Sequence, residues 1–261
     1  MAHRWLLVRL YGTAGGPLPP PSVLPRLARY VRSADSAACC FFSREDDATG
    51  PSVELWLDST PEVRRAAADL LRSEPESPWR PVVEQDVPRP VHHPHESGRD
   101  VRDELAAVST EFALSVPPGG EPGPKKAFDL GTSHLRGIVE LLPEAARPGF
   151  LFQCWQSWSA GLSPWEREKL AAETDMRRAA VPHAPSKARL RYLDRTRRAI
   201  RHQRPGNGLP EPYLIFHQAG ATHGRLGVPP AQGAAAALAL RSELAERTAS
   251  PVPVAASGGH A

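Results

Sequence analysis

The chain opens with large apolar residues broken by single arginines, RWLLVRLYG at 4–12, a pattern that reads as a β-strand. The next segment, SVLPRLARYVRSA, brings apolar residues together at 23, 24, 27 and 31, the spacing of one helical face. ACCFFSRE and SVELWLD then read as strands joined across the turn DDATGP. In STPEVRRAAADLLRSE, Ser59 or Thr60 can cap a helix, Pro61 suits its first turn and Glu62 lies near its positive end. Val63, Ala66, Ala67, Leu70 and Leu71 form the buried stripe of that helix, and WRPVVEQDV supplies a last strand. The order βαββα(β) predicts a ferredoxin-like antiparallel sheet backed by helices.

The pattern then changes to helical spacing. Val101, Leu105, Val108, Phe112 and Val116 recur along DVRDELAAVSTEFALSV, as do Phe128, Leu135, Ile138, Val139 and Leu142 along KAFDLGTSHLRGIVELL. SPWEREKLAAETDMRRA begins with Ser163 as cap, Pro164 in the first turn and Glu166 at the capping-box position. KARLRYLDRTRRAIRHQR reads as a strongly basic helix, YLIFHQ as a late apolar strand, and 230–247 as an Ala-rich helix. The whole is an α+β chain, with a sheet-rich half at 1–87 and a mainly helical half at 100–249 of one domain. A flexible tail, SPVPVAASGGHA, follows at 250–261. Pro-rich breaks at 17–22, 116–124 and 204–212 read as loops or linkers.

Composition narrows the function classes. With 261 residues and 41% hydrophobic content the chain can bury a real core. A net charge of +3 is too small for a dedicated nucleic-acid binder, so attraction to an acidic partner has to be local. No apolar run reaches the length of a membrane span, and a cytoplasmic location is expected. Cys39, Cys40 and Cys154 form neither a disulfide framework nor a C-x-x-C pair. HHPHE at 92–96 has no second cluster to complete a metal site, so no metal is expected.

No nucleophile elbow, P-loop, dinucleotide fingerprint or zinc-protease motif is present. Local concentrations of polar residues remain. FLFQCWQSWSAGLSP sets Gln153, Gln156 and Ser157 among Phe152, Trp155 and Trp158, and both a peptide-binding wall and plain core are open for it. Cys154 reads as a buried thiol or, with a base beside it, a nucleophile. The basic helix carries seven arginines, Arg189, Arg191, Arg195, Arg197, Arg198, Arg201 and Arg204. They form either a solvated face or a docking surface for an acidic peptide, with Tyr192 the one aromatic there for stacking a base. YLIFHQAGATHGRLGV is expected to gather His217, His223 and Arg225 at one strand end, where protons and anions can be handled.

WLLVRLYG, FFSRE with the strand after it, AAVSTEFAL, HLRGIVELL before RPGFLF, and HQ with GRLGV resemble the C-terminal elimination domain of lantibiotic dehydratases, which occurs as a free-standing protein in thiopeptide pathways. That resemblance implies one of two activities: elimination of glutamate from glutamylated Ser or Thr, or the pyridine synthase reaction, a formal [4+2] cycloaddition between two dehydroalanines of a precursor peptide. Elimination domains resemble F-F-I-R-Y followed by H-L-R-L-R, with arginines suited to a leaving glutamate. This chain keeps Phe41, Phe42 and Arg44 but has Glu45, Val53, Glu54, Leu55 and Trp56 around them, and its closing motif has Gly224 in place of Asn. The losses fall on glutamate handling, which favours the pyridine synthase branch. The resemblance then implies no cofactor and a precursor peptide with an acidic leader and a dehydrated, azole-containing core. It implies proton transfer by His217, with Glu45 and Glu111 behind it. It also implies orientation of the substrate by Arg44, Gln153, Trp155, Gln156, Ser157 and Arg225, and leader binding by Arg191, Arg195 and Arg198. Glutamate elimination and a non-catalytic peptide-binding subunit are the alternatives.

Overall fold

The computed structural model describes residues 4–12, 22–47, 50–73, 79–88, 101–116, 122–177, 186–202 and 209–249. HHPHE and the tail at 250–261 lie outside them. The first elements are β1 (Arg4–Gly12), α1 (Val23–Ala34), β2 (Cys39–Asp47), β3 (Gly50–Asp58), α2 (Pro61–Arg72) and β4 (Trp79–Pro88). The four strands form one antiparallel sheet in the order β2-β3-β1-β4, the ferredoxin-like order expected of βαββαβ.

Alternation sorts the sheet's side chains. Leu6, Val8, Leu10, Phe42, Val53, Leu55 and Leu57 face α1 and α2 and pack there with Leu24, Leu27, Ala67 and Leu71. Trp5, Phe41 and Trp56 lie on the opposite face. Thr60 caps α2 by accepting from the Val63 N–H at 3.4 Å, and Pro61 starts the helix, as the sequence predicts.

Beyond the sheet come α3 (Val101–Ser115), α4 (Pro124–Val139), a 3-10 turn at Glu144–Ala146, α5 (Arg147–Trp158), α6 (Pro164–Arg177), α7 (Lys187–Arg201), α8 (Glu211–Leu226) and α9 (Pro230–Ala249). The capping box of α6 forms as predicted, with Ser163 N–H and Oγ donating to Glu166 at 2.8 and 2.7 Å. One expectation is overturned: YLIFHQ is not a strand but the first turns of α8, and no strand follows β4 among the described residues. Leu214, Ile215, Gln218, Ala219, Thr222, His223, Arg225 and Leu226 are the buried positions, a spacing of three and four that only a helix produces.

Helix α3 joins the two parts. Its Leu105, Val108 and Phe112 enter the helical core with Leu135, Ile138, Leu151, Tyr192 and Ile215. Ala106 and Ala107 pack on the aromatic face of the sheet, while Ala113 and Leu114 reach the core beneath α1 and α2. A helix covered on several sides has no single polar face, which is why its apolar periodicity is weak.

Packing around the His223 imidazole tolerates no extra atom. A methyl group at Gly233 of α9 would sit 2.8 Å from His223 Nδ1 and 3.1 Å from Trp158 Cε3. Gly233→Ala is therefore expected to cost about 1–3 kcal/mol through overpacking, read as a lower urea midpoint with unchanged slope.

Candidate functional site

The edge strand β2 is where the sheet meets the helical part. Phe42 turns its main-chain groups outward, and both find partners on helices. Its N–H donates to Thr110 Oγ1 of α3 at 3.1 Å, and its carbonyl accepts from Arg225 Nε of α8 at 2.6 Å. Two side chains thus close an edge that would otherwise recruit another strand. Arg225, 6% exposed, also donates through Nη1 to Ser109 Oγ at 3.2 Å.

A chain of hydrogen bonds runs inward from Arg225. Ser109 Oγ lies 2.9 Å from Thr222 Oγ1, Tyr192 Oη lies 3.0 Å from Thr222 Oγ1, and His134 Nε2 lies 3.1 Å from Tyr192 Oη. Thr222 has one hydroxyl proton, and it goes to the Gln218 carbonyl at 2.7 Å. Ser109 and Tyr192 therefore both donate to Thr222, and Tyr192 accepts from an Nε2-protonated His134. Burial pushes the Tyr192 phenol up to about 12, so it stays protonated. Desolvation lowers both buried imidazoles: His134 lies well below its ordinary value, with His223 and Arg189 adding to the effect, and His223 falls to about 4. The two rings meet edge-on with centroids 5.1 Å apart, and His134 Nδ1 and His223 Nε2 make no hydrogen bond. The network clamps α3, α4, α7, α8 and β2 together. Sequence reasoning missed Ser109, Thr110, His134 and Thr222 as a group, although each is a polar residue set among core apolar positions of a helix.

The residues singled out from sequence separate into distinct places. Arg44 extends toward the end of α8, where a methyl group on Gly227 would lie 3.2 Å from Arg44 Nη1. Gly227 closes α8 with φ of 72°, a left-handed conformation suited to glycine. Arg44 and Arg225 are thus brought to the same junction, while Glu45 is exposed farther along β2. His217 sits on the exposed side of α8, not at a strand end, with its ring 4.2 Å from Tyr213 and 5.4 Å from Phe216. Partial burial, then the positive charge of Arg102 on α3, hold its imidazole below the ordinary range, so it is neutral at pH 7 and able to accept a proton. No hydrogen bond or ion pair joins His217 to Glu45 or Glu111 among the described residues.

FLFQCWQSW is helix α5, with Gln153, Gln156 and Ser157 exposed and Trp155 half-buried in the core. Cys154 is fully buried and its thiol is pushed far up by desolvation, so it has no thiolate to offer. Trp158 links the end of α5 to the His217 region by stacking on Phe216, with centroids 6.1 Å apart.

The arginine helix α7 is partly buried and partly open. Arg189 is buried and donates to the Ser133 carbonyl at 2.9 Å. Tyr192 stacks on Phe112 in the core. Arg191 and Arg195 line a groove between α1, α3 and α7 with two adjoining lobes of about 400 and 550 Å³. Glu111 stands in both lobes, 2.5 Å from Arg195 and 3.6 Å from Arg32. Arg198 lies outside the groove lining and pairs with Asp194 one turn away at 2.5 Å.

Among the described residues no helix is long and apolar enough to cross a membrane, and no group of three or more His, Cys, Asp or Glu side chains is placed to hold a metal.

A ferredoxin-like sheet fastened through α3 and α8 to a helical body defines a fold that solved structures share. No protein-family model matches the chain and no curated protein matches it. Among solved structures, the pyridine synthase TbtD from thiomuracin biosynthesis matches with a TM-score of 0.59 at 18% identity, over 93% of this chain and 98% of that one. The tRNA-dependent lantibiotic dehydratase MibB from Microbispora sp. 107891 matches with a TM-score of 0.53 at 16% identity, over 94% of this chain and 29% of that one. This chain spans under a third of the dehydratase's length. The fold is therefore the one expected from the sequence resemblance.

Proposed function

We propose that this chain is a pyridine synthase acting on a ribosomally made precursor peptide. The observation that carries this reading is the shared fold over 93% of this chain and 98% of the thiomuracin pyridine synthase. The β2–α8 junction supports the choice of branch. Arg225, a cation that glutamate elimination would need to offer to a leaving carboxylate, is occupied by the Phe42 carbonyl and Ser109.

In this reading, the amide between one dehydroalanine and its preceding residue tautomerises to a 2-azadiene and adds across a second dehydroalanine. The adduct aromatises by losing water and the leader peptide as an amide, so no oxidant is consumed. Holding the two alkenes together supplies up to roughly 7–11 kcal/mol of the barrier. His217, neutral and beside the positive Arg102, is the proton carrier. Arg44 orients carbonyls at the β2–α8 junction, and the exposed amides Gln153 and Gln156 with Ser157 are offered to the peptide backbone. The expected location is cytoplasmic.

The test is incubation with a dehydrated, azole-bearing linear peptide, followed by mass spectrometry. A macrocycle absorbing as a pyridine, with release of intact leader amide, is the expected result, and His217→Ala should slow it by about 10²- to 10⁴-fold. A peptide that binds but keeps its mass would make the chain a binding subunit. One observation favours glutamate elimination instead, the set of guanidiniums along the α1–α3–α7 groove. Dehydroalanine formed from a glutamylated peptide would establish that reading.

A further inference from the structure

The α1–α3–α7 groove is built for a partner that is acidic and apolar at once. Its first lobe has Pro25, Val108, Phe112 and Leu114 among its apolar lining residues, and Arg29, Arg32, Arg191 and Arg195 in its wall. Among the described residues Glu111 is the one carboxylate lining that lobe, so four guanidiniums there meet a single negative charge. The second lobe adds Asp35 and Glu104. Asp35 is already committed, accepting from the Ala37 N–H at 2.9 Å and Ser59 Oγ at 2.7 Å. The surplus positive charge therefore lies in the first lobe.

Among the described residues, Glu111 of α3 is the one partner that holds these arginines from another helix. Arg32 and Arg191 are exposed, and Arg191 has no ion pair among the described residues. Arg195 is half-buried and reaches across to α3 for Glu111. Glu111 thus bridges α1 and α7 from the groove floor and neutralises charge that a ligand would otherwise meet. Tyr192, the one aromatic of α7, is buried against Phe112 and presents no face on which a nucleotide base can stack. This favours a peptide over a nucleic acid.

We propose that this groove binds an amphipathic acidic peptide segment, and that Glu111 is a built-in counter-charge which the segment displaces from Arg195 and Arg32. The peptide's apolar side chains settle on the floor while its carboxylates take over the guanidiniums. The identity of that segment as a precursor leader rests on the pyridine synthase reading; the charge exchange does not. Glu111 then sets affinity and specificity rather than reacting.

The experiment uses the full chain and fluorescence anisotropy of three labelled peptides of repeated Glu-Glu-Leu-Leu, Gln-Gln-Leu-Leu and Lys-Lys-Leu-Leu units. The acidic peptide is expected to bind best, with an affinity that falls as salt rises. Arg191→Ala and Arg195→Ala should each weaken it by about two- to fivefold, the range of partly exposed charge pairs. Glu111→Gln should tighten it by about two- to fivefold, the opposite sign from a residue that only holds the fold together. Equal binding of the acidic and neutral peptides, weaker binding by the Glu111→Gln protein with an unchanged melting temperature, or displacement of the acidic peptide by an oligouridylate at lower concentration than by unlabelled peptide would each overturn the proposal. Failure here leaves turnover of the dehydrated peptide untouched. Absence of turnover with charge-dependent binding intact would remove the cyclase reading alone.

Discussion

Replacing Arg225 with methionine is expected to lower stability by about 2–4 kcal/mol, because two hydrogen bonds from a buried charged donor are lost together. The Phe42 carbonyl is the group left exposed to that loss, since it accepts from Arg225 at 2.6 Å on the side of β2 that has no neighbouring strand. Ser109 keeps Thr222 as partner and suffers less. In a chain of this size such a change corresponds to a fall of roughly 5–15 °C in melting temperature. Arg225→Lys should recover part of it, because one ammonium can reach the carbonyl but cannot also reproduce the fork that reaches Ser109. The same loss reopens the edge of β2, so the methionine protein should also aggregate at a lower concentration, measurable by light scattering. Equal melting temperatures for Arg225→Met and the parent protein would show that α8 is not fastened to the sheet through this side chain.

The second large effect is on pH. His223 is buried, and desolvation holds its imidazole at about 4 against an ordinary 6.5. Between those values the unfolded chain takes up a proton that the folded chain refuses. Stability is therefore complete above pH 6.5, declines as pH falls, and has lost about 3 kcal/mol from this group by pH 4. His134 shifts in the same direction, for the same reason first and then because of His223 and Arg189, and steepens the decline. Urea midpoints measured between about pH 7 and pH 4.5 should fall accordingly. Substituting His223 with glutamine should flatten the curve, at some cost near neutrality because the ring packs between Trp158 and His134. A parent profile already flat in that range would mean that the imidazoles are hydrated rather than enclosed.

Much of the fold is local and was readable. The strands of the first half alternate, Gly50 opens β3 with a positive φ, and Thr60, Ser163 and Glu166 cap helices where their spacing says they should. The late strand misled for a physical reason. Four large apolar residues in a row, Tyr213 to Phe216, carry no period of their own. What makes the segment a helix is that the polar Gln218, Thr222 and His223 are also buried, and only their hydrogen bonds to Leu105, Ser109, Tyr192 and Gly131 reveal that. The basic helix illustrates the same limit. Its seven arginines look equivalent in sequence, yet Arg189 is buried on Ser133, Arg198 is paired within the helix, and Arg191 and Arg195 turn to the groove.

Taken by itself, the order of residues determined the sheet, the helix caps, the basic character of α7 and the resemblance that points to peptide modification, because each depends on neighbours within a few positions. Tertiary structure alone decided which polar residues meet. Ser109 and Thr222 are separated by 113 positions, and Phe42 and Arg225 by 183. Such pairs form because burying helices against a sheet edge drives most enclosed donors and acceptors to find partners, and no short-range pattern encodes which ones they will be.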